Sequence, residues 1–184
     1  MERRHDLAAE FAERALETLH VAEDERTIAF AQQLLAYIEI ERGDAAKALE
    51  LLDDAAPTIE RVAEPLERAV FQLERARALA ELGRDAEAGD VLVEIAPELT
   101  ANPRIDGGRY FVLLAEIYER LGNHDDALAM LDEGIDRLAD HRSPYLVRAY
   151  RLKGELLERL GRADEALAAL RQALAAQDTA AKPS

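Results

Sequence analysis

One motif of about fifteen residues occurs four times in this sequence at a nearly constant spacing. Its glycine stands at positions 43, 83, 122 and 161, so successive copies are 40, 39 and 39 residues apart. The copies are Arg42–Ala56, Leu82–Ala96, Leu121–Ile135 and Leu160–Leu174. A fixed period of 20–50 residues is typical of repeat architectures. The spacing therefore predicts a row of similar units that stack on one another, and it does not predict what they bind.

Each copy predicts a helix, a tight turn and a second helix. The turn glycine ends the first helix because glycine tolerates left-handed dihedral angles, and Asp44 is a ready N-cap for the helix after Gly43. Five residues after each glycine stands an alanine, and nine residues after it stands a leucine: Ala48, Ala88, Ala127 and Ala166, then Leu52, Leu92, Leu131 and Leu170. Small residues allow close helix packing. Two such helices cannot bury their apolar faces alone, so we expect neighbouring copies to stack.

Prolines mark the boundaries of several predicted helices. Pro65, Pro103 and Pro144 lie in the links between copies, and each is suited to the first position of a new helix. Ser143 precedes Pro144 and is an N-cap candidate. Pro57 and Pro97 lie late in second helices, which they are predicted to shorten or bend.

The third copy carries a recognisable pattern of bulky, small and aromatic residues. That pattern is Phe111, Leu114, Ala115, Tyr118, Gly122, Ala127 and Leu131. It resembles the tetratricopeptide repeat family, and the resemblance covers about residues 27–177. It implies an all-α fold, namely a right-handed α-solenoid of about four helix-turn-helix repeats plus one N-terminal helix. The period exceeds the 34 residues of the family, and longer repeats of this kind resemble those of bacterial regulatory proteins.

The predicted organisation has three parts. Residues 1–25 form an N-terminal helix, which is either a cap or half a repeat; residues 26–177 form the repeat array; and residues 178–184 form a flexible tail. Because the chain opens on what resembles a lone second helix, we favour a segment of a longer protein over a native cap. Regulators with a helix-turn-helix or kinase domain are the kind of protein that such an array would accompany.

Composition and charge disfavour several classes of function. The net charge of −15 disfavours nucleic acid and anionic membrane as direct partners, because proteins bind both through an excess of Lys and Arg. There is no cysteine, and the four histidines lack the spacing of a metal site. No arrangement of a catalytic nucleophile and no cofactor motif is found. The sequence has neither the apolar core of a signal peptide nor an apolar run of about 18 residues. We therefore expect a cytoplasmic protein that is not an enzyme and has no cofactor or metal.

The resemblance implies that the first helices line a concave groove for an extended peptide or a helix. Counting 13, 10, 6 and 3 residues back from each glycine gives a stripe that is apolar in its first half and charged in its second. From it we single out Phe30, Gln33, Tyr37, Leu73, Arg77, Arg109, Glu116, Arg148, Arg151 and Glu155. Its arginines are suited to bidentate recognition of a partner's carboxylates. The alternative is that Phe30, Ile40 and Leu73 contact the neighbouring helix and the arginines pair with glutamates on adjacent turns.

The sequence supports three hypotheses for function. The first is a non-catalytic scaffold that binds a partner protein or peptide in the groove. The second is a ligand- or peptide-sensing segment of a larger bacterial regulator. The third is a self-association module, in which the C-terminal helix, Asp164 to Ala176, pairs with a second copy to form a homodimer, because Ala and Leu occupy most of its faces.

Overall fold

The computed structural model describes residue 14, residues 24–101 and residues 105–181, and its regular structure there is all helical. The helices are α1 (Glu25–Arg42), α2 (Ala45–Val62), α3 (Pro65–Glu81), α4 (Asp85–Thr100), α5 (Ile105–Arg120), α6 (His124–Leu138), α7 (Pro144–Arg159) and α8 (Ala163–Ala181). The predicted helical repeat fold is confirmed. The predicted N-terminal helix lies outside the described residues, apart from Arg14, Asp24 and Glu25.

A left-handed glycine separates the two helices of every described pair. The φ angles of Gly43, Gly83, Gly122 and Gly161 lie between 73° and 86°. The residue after each glycine donates its backbone N–H to the carbonyl five residues earlier, as in the bond from Asp44 to Glu39 at 2.9 Å. This bond satisfies a carbonyl that the end of the helix leaves without a partner. The predicted hinge is therefore confirmed in all four copies.

The predicted caps and proline starts are also confirmed where the structure describes them. The Asp44 side chain accepts from the backbone N–H of Lys47 at 3.1 Å, and the Ser143 hydroxyl accepts from that of Tyr145 at 3.2 Å. Pro65 and Pro144 begin α3 and α7. Pro103 lies outside the described residues.

The chain divides into two compact units, one up to Glu98 and the other from Leu99. In the first unit α1 packs on α2, α2 packs on α3, and α1 also contacts α3. The alanine and leucine positions of the repeat lie in the core: Ala48 and Leu52 are completely buried. Stacking therefore joins a second helix to the first helix of the next pair and joins consecutive first helices to each other.

The second unit repeats this arrangement with α5 on α6, α7 on α8, α6 on α7, and α5 on α7. Two glycines set the approach of the paired helices. A Cβ built on Gly108 would lie 2.5 Å from Cγ of Leu138, and one built on Gly154 would lie 2.7 Å from Cγ of Leu170. A Cβ at either crossing would require the facing leucine side chain to shift.

Two helices continue past the prolines that were predicted to shorten or bend them, and the last helix continues into the predicted tail. Pro57 and Pro97 do not end their helices, because α2 continues to Val62 and α4 to Thr100. The last helix reaches Ala181, so residues 178–181 of the expected flexible tail are helical. Alanine has the highest intrinsic helix propensity, and its frequency in this stretch outweighs the polar residues from which fraying was inferred.

Candidate functional site

Side chains of the predicted stripe meet between consecutive first helices of the first unit. The guanidinium of Arg77 on α3 lies 5.7 Å from the centroid of the Tyr37 ring on α1. The same guanidinium donates to the carboxylate of Glu41 at 2.5 Å. Tyr37 and Arg77 are both six residues before a turn glycine, so equivalent positions of the two stripes lie side by side. The ion pair and the ring contact connect the two helices.

The remaining stripe residues of this unit differ in exposure. Phe30 and Gln33 are half-buried on α1, and the guanidinium of Arg26 lies 5.2 Å from the Phe30 ring. Leu73 is only 2% exposed. Its assignment to a binding surface is therefore corrected: Leu73 is a core residue, because the face of α3 that it shares with Ala69 and Ala76 is buried.

In the second unit the stripe carries a bidentate ion pair between α5 and α7. Nε and Nη2 of Arg148 donate to the two carboxylate oxygens of Glu116 at 2.5 and 3.0 Å. Glu116 is only 8% exposed, so this carboxylate depends on its partner for a charge-assisted bond in a poorly solvated place. The pair joins positions 32 residues apart in the sequence.

The other charged residues of this unit form weaker pairs. Nη1 of Arg109 donates to Asp106 at 3.3 Å, and its guanidinium lies 4.7 Å from the centroid of the Tyr145 ring. Arg151 and Glu155 face each other across one turn of α7 at 3.9 Å, and their side chains are 66% and 53% exposed. These two are the most exposed charges of the predicted set.

The arginines of the stripe are thus paired with acids of the chain itself. The alternative interpretation expected glutamates on adjacent turns, which holds for Arg151, whereas Arg77 and Arg148 pair with a glutamate of the neighbouring first helix. A partner's carboxylate that used Arg77 or Arg148 would have to displace Glu41 or Glu116. The exposed Arg151 and Glu155, together with half-buried Phe30, Gln33 and Tyr37, are the stripe residues that a partner can reach without breaking a buried pair.

Sequence reasoning missed several partners of these residues. Glu41 and Tyr145 were not singled out, although they contact Arg77 and Arg109. The repeat does carry a signal for other ion pairs: the tenth residue after one glycine and the eighth before the next are oppositely charged in two copies. These pairs form, Arg75 with Asp53 at 3.1 Å and Lys153 with Asp132.

A second repeated ion pair lies at the start of α4 and of α8. Arg84 bonds to Glu87, and Arg162 bonds to Glu165, at 2.6–2.7 Å. The hydrogen bond from each arginine holds the pKa of its glutamate below the ordinary value, and the glutamate raises the pKa of the arginine. Burial raises the pKa of the Tyr110 phenol on α5. None of these groups lies in the stripe.

The described residues contain neither a candidate metal cluster nor a candidate membrane-spanning helix. Among residues 14, 24–101 and 105–181 no cluster of three His, Asp or Glu side chains could hold a metal ion. In the same part of the chain no helix is both long and apolar enough to cross a membrane.

The comparisons with known proteins agree with this geometry. Residues 109–179 match the family model for the tetratricopeptide repeat. They include most of the second unit. The family predicted from the Gly122 and Gly161 copies is thereby confirmed. Proteins with this repeat generally mediate protein–protein interactions and are generally not catalysts.

Solved structures extend the likeness in fold to nearly the whole chain. BtubC from P. vanneervenii aligns with a TM-score of 0.71 at 17% identity, over 97% of this chain and 74% of its own. The TPR-like repeats described as a kinesin light chain of Podosopora anserina align with a TM-score of 0.62 at 21% identity. The alignment covers 99% of this chain and 94% of that chain. MamA from Desulfovibrio magneticus RS-1 aligns with a TM-score of 0.62 at 13% identity, over 98% of this chain and 97% of its own. At these identities the likeness concerns the fold alone. Among curated proteins no sequence matches the chain.

Proposed function

We propose that the chain is a non-catalytic protein-interaction scaffold whose first-helix stripe binds a segment of a partner protein or a peptide. The observation that carries the proposal is that stripe residues of consecutive first helices touch each other within a unit. Tyr37 contacts Arg77 in the first unit, and Glu116 contacts Arg148 in the second. Contiguous side chains on two stacked helices form one surface, which is what a peptide several residues long requires.

The internal ion pairs support this function by holding the surface in place. Glu116 and Arg77 are buried, and each is bonded to the neighbouring first helix through charged atoms 2.5 Å apart. A surface that is already ordered loses less conformational entropy when it binds than a flexible one. In this proposal the paired arginines position the helices, while Phe30, Tyr37 and Arg151 make the contacts with the partner.

Peptide display on the purified chain tests the proposal. Clones selected on the wild type are assayed against two stripe variants, Gln33→Ala with Tyr37→Ala and Arg151→Ala with Glu155→Ala. The control is Glu50→Ala with Asp54→Ala on α2, where both side chains are exposed outside the stripe. We expect at least one stripe variant to weaken binding by about tenfold or more, which corresponds to about 1.4 kcal/mol. Clones that bind all stripe variants like the wild type would overturn the proposal.

A second candidate function is self-association through the outer face of α8. Leu167 and Leu174 on this face are 49% and 64% exposed. The residues at the same repeat positions of α6 are Leu128 and Ile135, which are 9% and 8% exposed and belong to the core that includes α7. The α8 face therefore has the side chains that receive a further helix elsewhere in this chain. A second copy is the occupant that we propose.

A further inference from the structure

A cleft of about 410 Å³ lies at one end of the α7–α8 pair. Its walls come from the α6–α7 link, from the first two turns of α7 and from the C-terminal half of α8. The residues are Ala139, Asp140, His141, Arg142, Ser143, Leu146, Tyr150, Gln172, Ala175 and Ala176. This volume falls within the range of about 300–1,000 Å³ that is usual for ligand pockets. The cleft lies outside the stripe of the first helices, so a ligand bound there would not depend on the proposed groove.

The equivalent place in the α5–α6 pair is filled by an arginine of the chain. The guanidinium of Arg137 lies 4.8 Å from the centroid of the Phe111 ring. Its Nη1 donates to the backbone carbonyl of Thr100 at 2.9 Å, and its Nε donates to Glu133 at 2.6 Å. A ring face, a carbonyl and a carboxylate thus hold one guanidinium at the end of this helix pair.

The α7–α8 pair retains this arrangement but not the arginine. A shift of 39 residues places Tyr150 at the position of Phe111, Ala139 at that of Thr100 and Gln172 at that of Glu133. The residue at the position of Arg137 is Ala176, whose side chain ends at Cβ. All four residues line the cleft. The cleft is therefore the space that an arginine side chain occupies one repeat earlier.

We propose that this cleft binds an arginine side chain supplied by a partner protein. The guanidinium stacks on the Tyr150 ring, where a cation is attracted to the π-electron face. Asp140 supplies the carboxylate, and the Gln172 amide oxygen replaces the Glu133 acceptor. Arg142 also lines the cleft but is exposed, so solvent and salt screen its repulsion. The net charge of −15 favours the approach of a cationic segment.

The α3–α4 pair offers a second cleft that lacks the aromatic ring. A smaller cleft of about 140 Å³ occurs at the same end of this pair, and Gln72, Glu94 and Glu98 line it. Gln72 stands where Tyr150 stands in the last pair, and Glu98 stands where Ala176 stands. This cleft is acidic but has no aromatic face at that position. We therefore assign arginine recognition to the larger cleft, where ring and space coincide.

Amide chemical shifts of the full chain, titrated with acetyl-arginine amide and in parallel with acetyl-lysine amide, test the proposal. We expect saturable shifts at residues 139–143 and 172–176, with arginine binding more tightly than lysine because its planar guanidinium stacks on a ring. Ala176→Arg should weaken binding by about tenfold or more, because the introduced guanidinium occupies the same ring face. Tyr150→Leu should weaken binding similarly while leaving the far-ultraviolet circular dichroism unchanged.

Two further variants serve as controls. Ala168→Arg adds the same charge to an exposed position of α8 outside the cleft, and it should bind acetyl-arginine amide like the wild type. Arg137→Ala should open the equivalent space beside Phe111 and produce a second set of saturable shifts in α5 and α6. The proposal is overturned if the wild type shows no saturable shift, if lysine binds as well as arginine, or if folded Ala176→Arg binds like the wild type.

Discussion

Gly161 adopts a φ of 73° in the turn between α7 and α8. For an L-residue with a side chain this region costs roughly 1–2 kcal/mol. We expect Gly161→Ala to lower the free energy of unfolding by about 1 kcal/mol, although a Cβ there would meet no atom within 4 Å. The urea midpoint of unfolding, followed by circular dichroism, measures the change.

Gly89 provides a matched control of opposite sign. It lies inside α4, has no positive φ, and a Cβ on it would also meet no atom within 4 Å. Alanine there should raise stability by about 0.5–1 kcal/mol, because glycine loses more backbone freedom on folding. If the two substitutions shift the urea midpoint in the same direction, backbone conformation does not explain the turn glycines.

At the scale of helices, the ion pair between α5 and α7 should couple the two elements energetically. Glu116 is nearly buried and receives two bonds from Arg148, so removing Arg148 alone leaves the Glu116 charge in a poorly solvated place. A double-mutant cycle with Glu116→Gln and Arg148→Met should give a coupling of about 1–3 kcal/mol. Chemical denaturation of the four proteins measures it.

The exposed pair on α7 is the control for this cycle. Arg151 and Glu155 lie 3.9 Å apart and are both more than half exposed. Exposed pairs of this kind contribute at most about 0.5 kcal/mol, so the cycle with Glu155→Gln and Arg151→Met should give a coupling within that limit. Equal couplings in both cycles would mean that burial does not strengthen the Glu116–Arg148 pair.

Element positions were largely predictable from the sequence, because the features that set them are local. A left-handed glycine, an aspartate cap and a proline at a helix start act within one turn, as Gly43, Asp44 and Pro65 show. The pairing of Arg77 with Glu41 was not predictable, since it joins residues 36 apart through stacking. The burial of Leu73 has the same origin. Helix periodicity identifies a face, and only packing decides whether that face meets protein or solvent.

The cleft between α7 and α8 was missed for a related reason. The repeat pattern consists of the residues that the copies share, whereas this cleft arises at a position where the copies differ: Glu98, Arg137 and Ala176. Ala176 carries no signal of its own until Arg137 is seen over the Phe111 ring. A missing side chain at a repeat position becomes informative only once the contacts of its counterpart in another copy are known in three dimensions.

At the scale of the molecule, charge on the outer face of α8 specifies how two copies would meet. Leu167, Arg171 and Leu174 lie on one side of the helix, and Asp164 stands seven residues before Arg171. An antiparallel pair of α8 helices related by a two-fold axis between Leu167 and Ala168 places Arg171 of each copy opposite Asp164 of the other. In this register Leu167 lies beside the axis, and Leu174 of each copy lies opposite Gly161 of the other.

Light scattering across a concentration series tests this arrangement by its charge pattern. We expect a wild-type dimer, a monomer for Leu167→Glu with Leu174→Glu, and weaker dimers for Asp164→Arg and for Arg171→Asp. The double exchange Asp164→Arg with Arg171→Asp should restore the dimer, because it restores opposite charges across the axis. Leu121→Glu, at an exposed leucine in the α5–α6 turn, should leave the dimer intact. A wild-type monomer at every concentration would exclude self-association, whereas a dimer that the double exchange does not restore would exclude this antiparallel register.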